Sequence, residues 1–107
     1  MDIQFNTDNR VDGTTRLNDK VMKRIHERLD PRFAHRLTRI EVHIRDIDGD
    51  SNGPSGIEVT LEARPSGGQP IEAVGRGDEP VQAVNVALGK LVSRLDSVFG
   101  KADRVRK

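Results

Sequence analysis

A chain of 107 residues with 34% apolar, 3% aromatic and 33% charged residues has the size of one domain built on one lean core. It contains no cysteine, which excludes a disulfide framework, a thiolate metal site and a cysteine nucleophile, and suits a reducing, cytoplasmic setting. The formal net charge of +1 conceals a sorting of charge along the chain: residues 10–45 carry ten Arg or Lys against five acids and residues 81–107 six against two, whereas residues 46–80 carry two against eight.

Ile3 and Phe5 alternate with Asp2, Gln4 and Asn6, which predicts a short first strand. This alternation is not the apolar run of a signal peptide, and no later stretch approaches a membrane span. Asp12-Gly13-Thr14-Thr15 supplies turn and N-cap chemistry. Leu17, Val21, Ile25 and Leu29 recur every fourth residue, so an amphipathic helix is expected over roughly 15–30, ended by Pro31. Phe33 and Leu37 fall in a polar connector and are expected to plug one end of the core.

Ile40, Val42 and Ile44 alternate with polar residues in a second strand, and Ile57, Val59, Leu61 and Ala63 do so in a third. The turn-rich run 46–56 joins them, and Pro65-Ser66-Gly67-Gly68 turns the chain into a fourth strand near Ile71–Arg76. Asp78-Glu79-Pro80 starts a second helix, with Asp78 as cap, and Val84, Leu88, Leu91 and Leu95 carry it to about Phe99, where Gly100 offers a stop. The expected fold is therefore α+β, in the order β-α-β-β-β-α. It has a four-stranded sheet with two helices packed on one face, a single domain over 1–100 and a basic tail over 101–107.

Basic residues line both helices. On a helical wheel Arg16, Lys20, Lys23, Arg24 and Arg28 fall within about a third of the circumference, with Glu27 among them. Arg32, Arg36 and Arg39 continue the charge, and Lys90, Arg94 and Lys101 recur along the second helix. If the helices lie side by side, these flanks would merge into one groove that tracks a phosphate backbone. A solvated helix face is the commoner use of such residues, but here the acids are displaced into 46–80 and Arg outnumbers Lys, which suits bidentate phosphate contact. With so few aromatics, stacking on unpaired bases is not the expected mode; backbone and shape recognition of structured RNA is.

Other motifs carry less. Asp48-Gly49-Asp50-Ser51-Asn52-Gly53 opens like a calcium loop, but its twelfth position is Val59, where a bidentate Glu is needed, so an acidic hairpin is the better reading. His26, His35 and His43 lack metal-ligand spacing. Glu41, Glu58, Glu62 and Glu72 alternate onto the outer sheet face as expected cross-strand partners of Arg45, Arg64 and Arg76. Nothing resembles a nucleophile-base pair or a phosphate loop, so no enzyme, cofactor, metal or small-molecule substrate is expected.

The order of elements, with Ile3-Gln4-Phe5-Asn6, Arg28-Leu29, Phe33, Arg36 to Val42, Gly68 to Ala73, and Ala83-Val84 with Leu88-Gly89-Lys90-Leu91 and Leu95, resembles the ribosome hibernation-promoting factors. These include the ribosome-associated translation inhibitor and the sigma-factor-modulation proteins. The resemblance implies a fold similar to double-stranded-RNA-binding domains and a translation regulator that occupies the messenger and transfer RNA channel of the small ribosomal subunit, inactivating ribosomes under stress. It implies the short form, without a further dimerisation domain. Arg28, Arg36, Arg39 and Lys90 match basic positions of the family, and Lys20, Lys23 and Arg24 lie where its first helix is basic. Ser93 to Phe99 departs from the family pattern, which carries a run of Lys and His there. Two alternatives stand beside this reading: a protein-interaction domain using the acidic 46–64 edge or the apolar end at Val98-Phe99, and a general structured-RNA-binding module.

Overall fold

The computed structural model describes residues 1–7, 15–47 and 56–105. In chain order its elements are β1 (Asp2–Thr7), α1 (Thr15–Phe33), β2 (Leu37–Asp46), β3 (Ile57–Pro65), β4 (Ile71–Gly77) and α2 (Pro80–Val105). The Asp12–Thr14 sequence expected to turn, the calcium-like Asp48–Gly53 sequence, Arg106 and Lys107 lie outside the described residues.

The strands form one sheet in the order β1-β2-β3-β4. β2, β3 and β4 are an antiparallel meander, while β1 pairs parallel with β2, Ile3 opposite Ile40 and Phe5 opposite Val42. The parallel pair follows from the chain path, because α1 returns the chain to the starting end of the sheet before β2 begins.

Alternation along the strands decides which side is covered. Ile40, Val42, Ile44, Val59, Leu61, Ala63 and Ala73 are buried and meet Val21, Ile25 and Leu29 of α1 and Val84, Leu88, Leu91 and Leu95 of α2. Both helices therefore lie on the same face. At Gly75 the approach is closest: a Cβ there would stand 2.4 Å from the Ala83 carbonyl oxygen and 2.4 Å from the Ala87 nitrogen, so only glycine lets α2 settle onto β4.

Several boundaries differ from the sequence expectation. α1 continues through Pro31 to Phe33; a proline removes a single backbone donor, and the extra turn carries Phe33 into the core. Phe33 and Leu37 are thus the last residue of a helix and the first of a strand, both buried, and not parts of a polar connector. The Ala83 amide donates to the Glu79 carbonyl at 3.0 Å, which puts the cap position of α2 at Glu79 and not Asp78. The Asp78 amide is instead satisfied by the side-chain oxygen of Gln82, at 2.7 Å. Gly100 does not stop α2, which runs on to Val105. The only described glycines with positive φ are Gly56 and Gly67, so Gly100 keeps a helical backbone and does not make the left-handed turn of a C-terminal cap.

Candidate nucleic-acid interface

The two helices run in the same direction, as their cross-links show. Arg24 Nε donates to Asn85 Oδ1 at 2.7 Å, Arg32 pairs with Asp96, and the rings of Phe33 and Phe99 lie 5.8 Å apart, so residues later in α1 meet residues later in α2. Helical spacing then places Lys20, Arg24, Arg28 and Arg32, four apart, along the flank of α1 that faces α2. Lys20, Lys23, Arg24 and Arg28 are all exposed.

α2 answers this row with Asn85 and Asp96, and its own basic residues lie elsewhere. Arg94 donates to the Glu72 carbonyl oxygen of β4, so its flank is the one away from α1. Lys90 lies one turn before Arg94 and Lys101 two turns after it, on the same side. The sequence expectation of two basic flanks merging into one groove is therefore corrected: the rows bracket α2, one along the seam with α1 and the other above the β4 edge. The cause is the rotation of α2 about its axis, set by burial of Val84, Leu88, Leu91 and Leu95.

Arg39 stands on a different surface. It alternates with buried Ile40 and so belongs to the outer sheet face, where its Nη2 lies 3.3 Å from Glu41 Oε2. That face carries a ladder of ion pairs. Arg64 reaches Glu41 at 3.0 Å and Glu62 at 2.8 Å, while Glu58 lies between Arg45 at 3.1 Å and Arg76 at 2.9 Å. The expected cross-strand partnership holds for Glu41 and Glu58, whereas Glu62 pairs with Arg64 of its own strand and the Glu72 carboxylate pairs with no arginine among the described residues; the arginines of this face are nonetheless largely matched by its own acids.

Arg36 occupies the turn between α1 and β2, with its guanidinium carbon 4.1 Å from the centre of the Phe99 ring. Arg32 lies 5.0 Å from the ring of Phe33. Composition gave little sign of this cluster, because two of only three phenylalanines had to meet across the seam before cations could lie on them.

The cations thus divide into two sets. Arg24, Arg32, Arg39, Arg45, Arg64, Arg76 and Arg94 have polar or acidic partners. Arg16, Lys20, Lys23, Arg28, Lys90 and Lys101 have none among the described residues, and all six are exposed on the helical layer. Among those residues no group of three His, Asp or Glu is placed to hold a metal, and no helix is long and apolar enough to cross a membrane.

The family described as Sigma 54 modulation protein / S30EA ribosomal protein matches residues 3–102. Among solved structures, a ribosomal subunit interface protein from Coxiella burnetii is similar with a TM-score of 0.73 and 21% identity, over 94% of this chain and 99% of that one. No curated protein matches the sequence.

Proposed function

This chain belongs to the Sigma 54 modulation protein / S30EA ribosomal protein family, and from that membership we propose that it is a ribosome-associated translation regulator of the cytoplasm. It binds the small subunit, occupies the channel used by messenger and transfer RNA, and inactivates ribosomes under stress by occlusion, without catalysis. The observation that carries this reading is the division of cations. Lys20, Lys23, Arg28, Lys90 and Lys101 are exposed without acidic partners on the helical layer, whereas the sheet arginines are matched by glutamates.

An unpaired exposed cation can neutralise a phosphate, and so release the counterions condensed on the RNA, without first breaking an ion pair, which supports this layer as the side that meets ribosomal RNA. In this reading Lys20, Lys23, Arg28, Lys90 and Lys101 touch phosphate. Arg24 and Arg94 hold the two helices in place, and Arg36 marks one end of the contact. Arg39, on the outer sheet face, is not part of it.

Co-sedimentation with ribosomal subunits at graded salt tests the proposal. Association with small subunits that weakens steeply as salt rises is the expected result. A protein that remains in the supernatant at low salt overturns it, as does association that survives combined charge reversal of Lys20, Lys23 and Arg28.

A further inference from the structure

A cleft of about 530 Å³ opens at the end of the molecule where α1 finishes and the β3–β4 turn begins. Its walls include Arg36, Pro65, Gln69, Ile71, Val98 and Phe99. The volume is that of a small-ligand site, and the lining is mainly apolar with a few polar groups, as such sites usually are. We propose that this cleft receives an unstacked nucleobase of RNA, packed against the Arg36 guanidinium where that group lies on the Phe99 ring. The inference deepens the RNA-binding reading above and rests on it.

The guanidinium is a planar, permanently charged group, and proteins that hold single-stranded RNA stack bases on arginine planes as well as on aromatic rings. Here the plane is backed by Phe99, 9% exposed, at 4.1 Å, so it is braced from behind while Arg36 lines the cleft. Sequence composition argued against base stacking because no aromatic was expected at the surface. An arginine laid over a buried phenylalanine supplies a stacking surface without an exposed ring.

The walls are also held before any ligand arrives. The Arg36 amide donates to the Phe33 carbonyl at 2.9 Å, and the Ser66 amide donates to the Arg36 carbonyl at 3.0 Å, tying the β3–β4 turn to the arginine. Gly67, at φ 74°, permits that turn, since a residue with a side chain is strained there. Pre-set walls spare a ligand the ordering cost of forming them.

Charge favours RNA as the occupant over an apolar protein side chain. Lys101 lies one turn beyond Val98 on α2 and is exposed, so a phosphate flanking the base finds a cation beside the mouth. The side-chain oxygen of Gln69 and its amide nitrogen, on an exposed residue of the rim, can bond a base edge.

The test is a titration of the full chain with single-stranded hexaadenylate, following backbone amide shifts. Saturable movement of Ser66, Gly67 and Gly68 is expected. Arg36→Lys, which keeps the charge and removes the plane, should weaken that response about tenfold while responses near Lys20 and Lys23 persist. Should Arg36→Lys fail to fold, Val98→Glu, at a position 44% exposed, serves instead and should suppress the same amides by repelling phosphate. The proposal is overturned if residues 66–68 do not move up to millimolar hexaadenylate, or if they move as much in the variant as in the parent chain. It is also overturned if a leucine-rich amphipathic peptide saturates the cleft and hexaadenylate cannot displace it. Co-sedimentation separates the two readings: small-subunit binding that persists with a silent cleft overturns the cleft alone, and a responsive cleft in a chain that ignores ribosomes overturns the ribosome reading alone.

Discussion

Arg24 donates from Nε to Asn85 Oδ1 at 2.7 Å across the seam of the two helices, while Lys20, one turn away on the same flank, has no partner among the described residues. The two side chains share a surface and differ in what they are committed to. Arg24→Ala should cost up to about 1 kcal/mol of stability, the worth of one solvent-exposed hydrogen bond. Lys20→Ala and Lys23→Ala should each stay within about 0.5 kcal/mol of the parent. In co-sedimentation each lysine removed should lower the salt dependence of small-subunit binding by about one counterion. Urea unfolding and the salt series check both halves, and a Lys20→Ala variant as unstable as Arg24→Ala would contradict the division.

Asp96 is the acid that α2 places in the seam, and it holds Arg32. Asp96→Asn should lower stability by less than about 1 kcal/mol, because both side chains are substantially exposed. It should also tighten small-subunit binding and steepen its salt dependence, since it removes a negative charge from the basic layer and frees a cation. Weaker binding in this variant would place the contact on another face.

Glu58 serves two arginines at once, Arg45 and Arg76, with its own side chain only 12% exposed. Glu58→Gln should cost about 1 to 2 kcal/mol by thermal or urea unfolding. Small-subunit binding should not change, because the proposed contact is the helical layer. Loss of binding without loss of stability would bring that face back into consideration.

Two glycines make opposite predictions. Gly75→Ala drives a methyl group into the backbone of Ala83 and Ala87 and should cost about 3 kcal/mol, separating α2 from β4. Gly89, inside α2, meets nothing within 4 Å beyond its own helix backbone. Gly89→Ala should therefore stabilise by about 0.5 to 1 kcal/mol through backbone entropy alone. Melting temperatures of the two variants, one down and one up, read this directly.

Periodicity along the chain was enough to place the elements and their inward residues. Ile40, Val42 and Ile44 alternate, and Val21, Ile25 and Leu29 recur at helical spacing, because burial of one face imposes a period on any strand or helix. The outward glutamates were legible for the same reason, and so were the cross-strand arginine partners of Glu41 and Glu58. Local chemistry was a weaker guide at the ends. Pro31 and Gly100 both read as stops, and both are overridden, in the first case because the added turn buries Phe33.

The distribution of cations around the molecule belonged to packing. Lys90, Arg94 and Lys101 form a row that any helical wheel displays, but the wheel gives only angles relative to the helix's own axis. Which neighbour that row faces depends on how α2 rotates to bury its leucines on β3 and β4, and that rotation turned it away from α1 and toward the Glu72 carbonyl. Arg39 went to the far side of the sheet by alternation with Ile40, although it is close in sequence to Arg36. The Arg36–Phe99 platform joins residues 63 positions apart, a contact that exists only once the seam has closed. A one-dimensional pattern records how often a residue type returns to a face; it does not record which other faces that one will meet.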